Sequence, residues 1–176
     1  YVEETGVAQY LRDARIAPIY AGTNGIQALD LTLKKIHIDE GKIVNNLFDE
    51  MISVSNELNK SDILSKLTES YQFHIKNLME STEKVRKLMI NGNQKSISGF
   101  ASPYTKMFGQ VLGGYYMAKA AVIADKKYKE TGEEYYKDKI TLSKFYIEQL
   151  LPLSENNMAP IDSDVDDLFL INSKNF

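Results

Sequence analysis

An all-α protein built as an antiparallel helical bundle is the fold that the sequence predicts, and three observations predict it. No proline falls between Pro18 and Pro103, and apolar residues in that span recur at steps of three and four. Convincing strand alternation is missing apart from the short, ambiguous piece Leu168 to Ile171.

Taken in order, Pro18 is expected to end a first helix, Gly22 to allow an irregular backbone, and Thr23 to cap a second helix through Leu29 and Leu33. The stripe Ile43, Leu47, Met51, Val54 and Leu58 marks the next helix. A longer stripe follows at Leu64, Leu67, Tyr71, Ile75, Leu78, Thr82, Val85 and Met89. Ser61 with Asp62 offers it an N-cap, and Asn91-Gly92-Asn93 supplies residues that tolerate positive φ where it should stop. Tyr104, Phe108, Val111, Tyr115, Ala118 and Val122 repeat the period just after Ser102-Pro103, read as an N-cap and first-turn pair. Gly109, Gly113, Gly114, Ala118 and Ala121 on this helix predict close packing, with a subunit contact as one use for it. Thr131-Gly132 punctuates, and a last helix is expected from Glu133 to about Leu151, stopped by Pro152.

Composition narrows the function. Over 176 residues, 43% are hydrophobic and 26% charged, which suits one soluble globular domain or a domain with part of another. Basic residues number 21 against 24 acidic, spread thinly, so nucleic acid and anionic membrane surfaces are not expected partners. The absence of cysteine excludes thiol chemistry and disulfides and fits a reducing, cytoplasmic setting. Two separated histidines, His37 and His74, read as packing or surface residues, and no metal is expected. The acidic patch Asp162, Asp164, Asp166 and Asp167 lacks the glycine and the bidentate glutamate of a calcium loop. No apolar run reaches a membrane span. A start at Tyr1 rather than Met predicts a piece of something longer.

Chemistry concentrates in the first 36 residues, where Arg12-Asp13-Ala14-Arg15-Ile16-Ala17-Pro18-Ile19-Tyr20-Ala21-Gly22-Thr23-Asn24-Gly25-Ile26-Gln27 stands. A helix start after Gly-Thr presents N–H groups that suit an anion or a polar cofactor edge. The competing reading makes Gly22-Thr23 a loop and cap only.

This stretch resembles the end of the catalytic part of acyl-CoA dehydrogenases, through Arg12 to Ile16, Ile19, Tyr20, Gly22 to Asn24, Ile26 and Gln27. The segments Tyr104 to Gly109, Gly113-Gly114, Ala118 to Ala121 and Phe145 to Pro152 are similar to an added C-terminal helical domain. That domain is found in a bacterial branch of the family, resembling 3-methylmercaptopropionyl-CoA dehydrogenase. The resemblance implies residues 1–37 as the end of the dehydrogenase helical domain and 38–176 as the extension. It also implies α,β-dehydrogenation of an acyl-CoA thioester with hydride passed to FAD, an electron-transfer flavoprotein or similar acceptor, and a homo-oligomer.

By the same resemblance, Tyr20, Ala21 and Gly22 would face the acyl thioester, and Thr23, Asn24 and Gly25 would lie along the FAD. Tyr20 can equally be an ordinary buried aromatic, and Arg12, Asp13 and Arg15 read as a structural ion-pair cluster. Glu3 and Glu4 read as solvated. The family's base commonly sits immediately before Gly-Thr, and here that residue is Ala21, whose methyl cannot take a proton. No catalytic residue is therefore assigned. The base has moved to an upstream helix, has been lost, or was replaced deliberately.

Most flavin contacts would lie on segments outside this sequence, so the chain alone is expected neither to retain FAD nor to turn over. The alternative is a non-catalytic helical interaction or oligomerisation module that keeps a relic of the flavin site.

Overall fold

The computed structural model describes residues 3–20, 24–163, 169–171 and 174, with the side chains of Thr5, Pro18, Ile19 and Tyr20 outside that description. Among the described residues there is no strand, and the all-α class expected from the sequence holds. In chain order the helices are α1 (Val7–Tyr20), α2 (Asn24–Leu33), α3 (Lys42–Asn59), α4 (Thr68–Ile90), α5 (Gln94–Thr131), α6 (Glu134–Phe145) and α7 (Met158–Asp162). No helix of the described residues is long and apolar enough to cross a membrane.

The core forms where α3, α4, α5 and α6 run up, down, up and down. Cross-helix hydrogen bonds set their registers: the Tyr71 hydroxyl donates to the Met51 carbonyl at 3.2 Å, Ser81 donates to Met107 Sδ at 3.7 Å, and the Tyr104 and Thr82 hydroxyls meet at 2.7 Å. Thr82 donates to the Leu78 carbonyl, so it accepts from Tyr104. Burial pushes the hydroxyls of Tyr71 and Tyr104 well above the ordinary phenol range and keeps them as donors. Between α3 and α5, the Tyr115 hydroxyl donates to Glu50 at 2.9 Å, and Lys126 reaches Glu57 at 3.4 Å.

The expected α4 stripe is buried from Leu64 through Val85, with Met89 at the edge. Residues one-sided in sequence are one-sided in space because a single row of side chains can leave water. On α3 the buried row is instead Val44, Phe48, Met51, Ser55 and Leu58, and Ile43 is 56% exposed. The helix carries two adjacent apolar rows. Ile43 and Leu47 line a cavity with Leu31 of α2 and Phe108 of α5, while the other row enters the core.

Four expected boundaries move. Pro18 does not end α1, which continues to Tyr20. Pro103 lies inside α5, whose start is Gln94, so Ser102 is no cap. A mid-helix proline costs roughly 3 kcal/mol. Burial of Ile97, Phe100, Ala101, Tyr104 and Met107 on both sides of it recovers more, at about 1.5–3 kcal/mol per large side chain. Ser61 caps through its backbone rather than its hydroxyl: its carbonyl accepts from Leu64 and Ser65, a 3₁₀ turn Ser65–Leu67 follows, and α4 begins at Thr68. The last helix does not stop at Pro152. It widens to a π turn at Tyr146–Leu150, tightens to a 3₁₀ segment at Leu151–Asn157 with Pro152 in its first turn, and ends in α7. Pro152 has no N–H to offer the preceding turn, and the chain changes helical pitch there without leaving the core.

Gly92 and Gly132 end α4 and α5 at φ +76° and +71°, as their placement in the sequence predicts. The small residues of α5 pack within the chain. A Cβ on Gly113 would stand 2.2 Å from the Tyr146 hydroxyl, one on Gly114 would meet Leu151 at 3.1 Å, and Ala118 and Ala121 are fully buried. Only Gly109 of the set opens outward, so the use of this face as a subunit contact is corrected. Phe169 and Leu170 form a turn rather than a strand, and Lys95 Nζ lies 4.5 Å from the Phe169 ring centre. Asp164, Asp166, Asp167 and Leu168 lie outside the described residues.

Candidate functional site

The motif-bearing segment comprises α1, the link 21–23, and α2. Ala21, Gly22, Thr23 and the Tyr20 side chain lie outside the described residues. Asn24 and Gly25 open α2 as part of an exposed first turn, and nothing stands within 4 Å of where a Gly25 Cβ would be. A flat ring system can approach the backbone closely at that point.

Behind this turn, Ala28 and Thr32 bury the opposite face of α2 against α5. The Thr32 hydroxyl donates to the Ala28 carbonyl at 2.8 Å, and His37 Nε2 donates to the Thr32 carbonyl at 2.9 Å. His37 thus fastens the end of α2, in keeping with a packing role.

The connection to α3 passes through Asp39, Glu40 and Gly41 at φ +52°, +56° and +83°. Arg86 of α4 holds this left-handed turn: its Nη2 donates to the Glu40 carbonyl at 2.6 Å, and the guanidinium covers Gly41. Two non-glycine residues in this region cost strain, which the guanidinium offsets.

On α1, Arg12 makes a fork onto Glu3, donating at 2.7 and 3.2 Å, and a further bond to Gln9 at 2.9 Å. Gln9 in turn donates to Asp13 at 2.7 Å. The ion pair expected of Arg12 therefore forms with Glu3, which the sequence reading left to solvent, and not with Asp13. All of these side chains are exposed, so the pair adds little stability.

His74 is 2% exposed, with Nδ1 3.1 Å from the Ser154 hydroxyl and Nε2 3.9 Å from Glu155. Serine, histidine and carboxylate thus stand in a row, yet Ser154 is fully buried and no substrate reaches its oxygen. The 3.9 Å approach of Glu155 favours an imidazolium, but burial outweighs it and holds the His74 pKa below its ordinary value. Glu155 is half exposed and its attraction is screened, so His74 stands as a neutral packing group.

The sequence reading missed one cation. Lys106 on α5 lies across a cavity from Asn24 and Gln27, with Ser102 and Thr105 beside it. Its position three residues before Gly109 carries no signal by itself. Among the described residues no group of three or more histidines or carboxylates could hold a metal ion.

An all-α bundle with an open, exposed first turn at one helix start is a class shared by many helical domains. Comparison with known proteins narrows it: residues 46–171 match the family model described as acetyl-CoA dehydrogenase C-terminal like, and the chain belongs to that family. It is similar to a 3-methylmercaptopropionyl-CoA dehydrogenase of Ruegeria pomeroyi, 29% identical over 159 residues that cover 86% of this chain and 26% of that protein. It is also similar to a butyryl-CoA dehydrogenase of Syntrophomonas wolfei, 24% identical over 160 residues, covering 86% of this chain and 25% of that one. The chain spans about a quarter of the length of these relatives.

Proposed function

We propose that the complete protein is an FAD-dependent acyl-CoA dehydrogenase, to which this chain contributes one edge of the active site and a helical domain that supports assembly. The observation that carries the reading is the similarity to two proteins named as acyl-CoA dehydrogenases across 86% of the chain. Residues 1–37 end the dehydrogenase helical domain on this reading, and 38–176 are the extension.

Thr23, Asn24 and Gly25 would hold the flavin edge, and the exposed first turn of α2 with its open Gly25 fits that use. Tyr20, Ala21 and Gly22 would border the acyl thioester. FAD, when bound, supplies the hydride acceptor. The residues of this chain orient the thioester and exclude water, while the base that takes the α-proton stands on another helix of the complete protein. An electron-transfer flavoprotein or similar acceptor, a homo-oligomer and a cytoplasmic setting complete the reading. The chain alone neither retains FAD nor oxidises acyl-CoA.

Ala21 favours one second reading, a helical interaction module with a relic flavin site. Acyl-CoA-dependent bleaching of the flavin in the complete protein separates the two. An active wild type whose Ala21→Glu variant is slower or unchanged supports the dehydrogenase, because two carboxylates at one dry site raise a pKa and hinder proton abstraction. An inactive wild type rescued by Ala21→Glu, by about two to four powers of ten, establishes the relic.

A further inference from the structure

Two cavities of about 460 Å³ each lie along one face of α5 and share Thr105 and Lys106. The first is walled by Asn24 and Gln27 of α2, the second by Tyr146, Leu153, Asn156 and Asn157 beyond the π turn. They form one groove with Lys106 at its middle, of a size that small-molecule sites have.

The lining of this groove combines a lysine with an absence of carboxylates among the described residues, in a chain with more acidic than basic residues. Many lysines elsewhere are paired with a carboxylate, as in Lys127 with Glu130, Lys129 with Asp125 and Lys137 with Glu134, while Lys66 and Lys144 on other faces have no carboxylate partner among the described residues. Lys106 is exposed and, among the described residues, has no ion pair or hydrogen bond. An unneutralised ammonium flanked by hydroxyls and amides is a seat for phosphate oxygens.

The rest of the groove is prepared for a flat polar group. The Tyr146 hydroxyl donates to the Gln110 carbonyl at 3.0 Å, which fixes its ring. Asn157 donates to Gln110 Oε1 at 3.0 Å, which fixes both amides and leaves the Gln110 amide group as a donor. Gly109 leaves the floor open, with nothing within 4 Å of a Cβ.

We propose that this groove binds a nucleoside diphosphate group, with its phosphates on Lys106 and its base beside Tyr146, Asn156 and Asn157. The inference rests on the dehydrogenase reading, in which two ligands carry adenosine diphosphate: the CoA thioester and FAD. It assigns the helical extension a part in holding one of them.

The test measures binding of ADP, CoA and FAD to the complete protein by calorimetry, in wild type, Lys106→Gln and Lys106→Arg. Lys106→Gln should weaken ADP about tenfold or more, Lys106→Arg should restore most of it, and added salt should weaken the wild type more than Lys106→Gln. An equal loss for CoA with FAD unchanged assigns the groove to the thioester, and the reverse assigns it to the flavin. Because Lys106 is exposed and unpaired, the variants should melt with the wild type, and an unchanged melting temperature separates binding from folding. A wild type that binds no ADP, or a Lys106→Gln variant whose three affinities stay within twofold, overturns the proposal. Dehydrogenation is assayed in parallel. A protein that binds ADP through Lys106 but oxidises no acyl-CoA refutes the functional reading alone, and an active one indifferent to Lys106 refutes the groove alone.

Discussion

Replacing Gly113 by alanine should change sign with the identity of residue 146. A methyl group at 113 would stand 2.2 Å from the Tyr146 hydroxyl and 2.9 Å from Cζ, so the ring tip must retreat by about 1 Å to reach ordinary contact. That retreat breaks the 3.0 Å bond to the Gln110 carbonyl, a loss of about 1 kcal/mol. Overpacking adds about 1–3 kcal/mol, and the helix preference for alanine returns about 1 kcal/mol. The net is a destabilisation of about 1–3 kcal/mol. In a Tyr146→Ala background both costs vanish and only the helix term remains, so the same substitution should stabilise by up to about 1 kcal/mol. Gly109→Ala, which meets nothing within 4 Å, should stabilise in either background. Equilibrium urea unfolding resolves these changes, since 2 kcal/mol moves the midpoint by about 1 M at a typical slope. If Gly113→Ala destabilises equally with and without the tyrosine ring, the close approach of α5 to the π turn is not what requires glycine.

Two further outcomes follow from buried groups. His74 is held neutral chiefly by burial, with its folded pKa below its unfolded value near 6.5, so the unfolded chain binds the extra proton first as pH falls. Stability should therefore decline below about pH 6.5 and recover as pH rises through that value. A His74→Gln variant should lack this component, and urea unfolding at pH 5.5 and 7.5 for both proteins gives the difference. At the left-handed turn, Gly41→Ala places a methyl 2.5 Å from the Arg86 Cζ at φ +83°, and should cost about 2 kcal/mol or more. Thermal unfolding checks it, and Arg86→Ala should relieve the steric part of that cost while losing the bond to Glu40.

Residues that act through their neighbours in sequence disclosed their roles without a structure. The stripe from Leu64 to Val85 is apolar on one side of a 3.6-residue period, and whichever helix covers it, that side must leave water. Gly92 and Gly132 end helices because positive φ is a local property of the backbone. The helix start expected after Thr23 was legible in the same way, and α2 begins at Asn24.

Tertiary structure decided whatever depends on partners far away in the chain. Which of two apolar rows on α3 enters the core was set by α4 and α5, since periodicity is equally satisfied by either row. Pro103 remains inside a helix because burial on both sides exceeds its cost, and local rules contain no term for that burial. The small residues of α5 await Tyr146 and Leu151, more than thirty positions on, and His74 meets Ser154 80 positions away. The groove around Lys106 was invisible for the same reason: a lysine is unneutralised only once every carboxylate has been placed elsewhere, and the fold alone makes that placement.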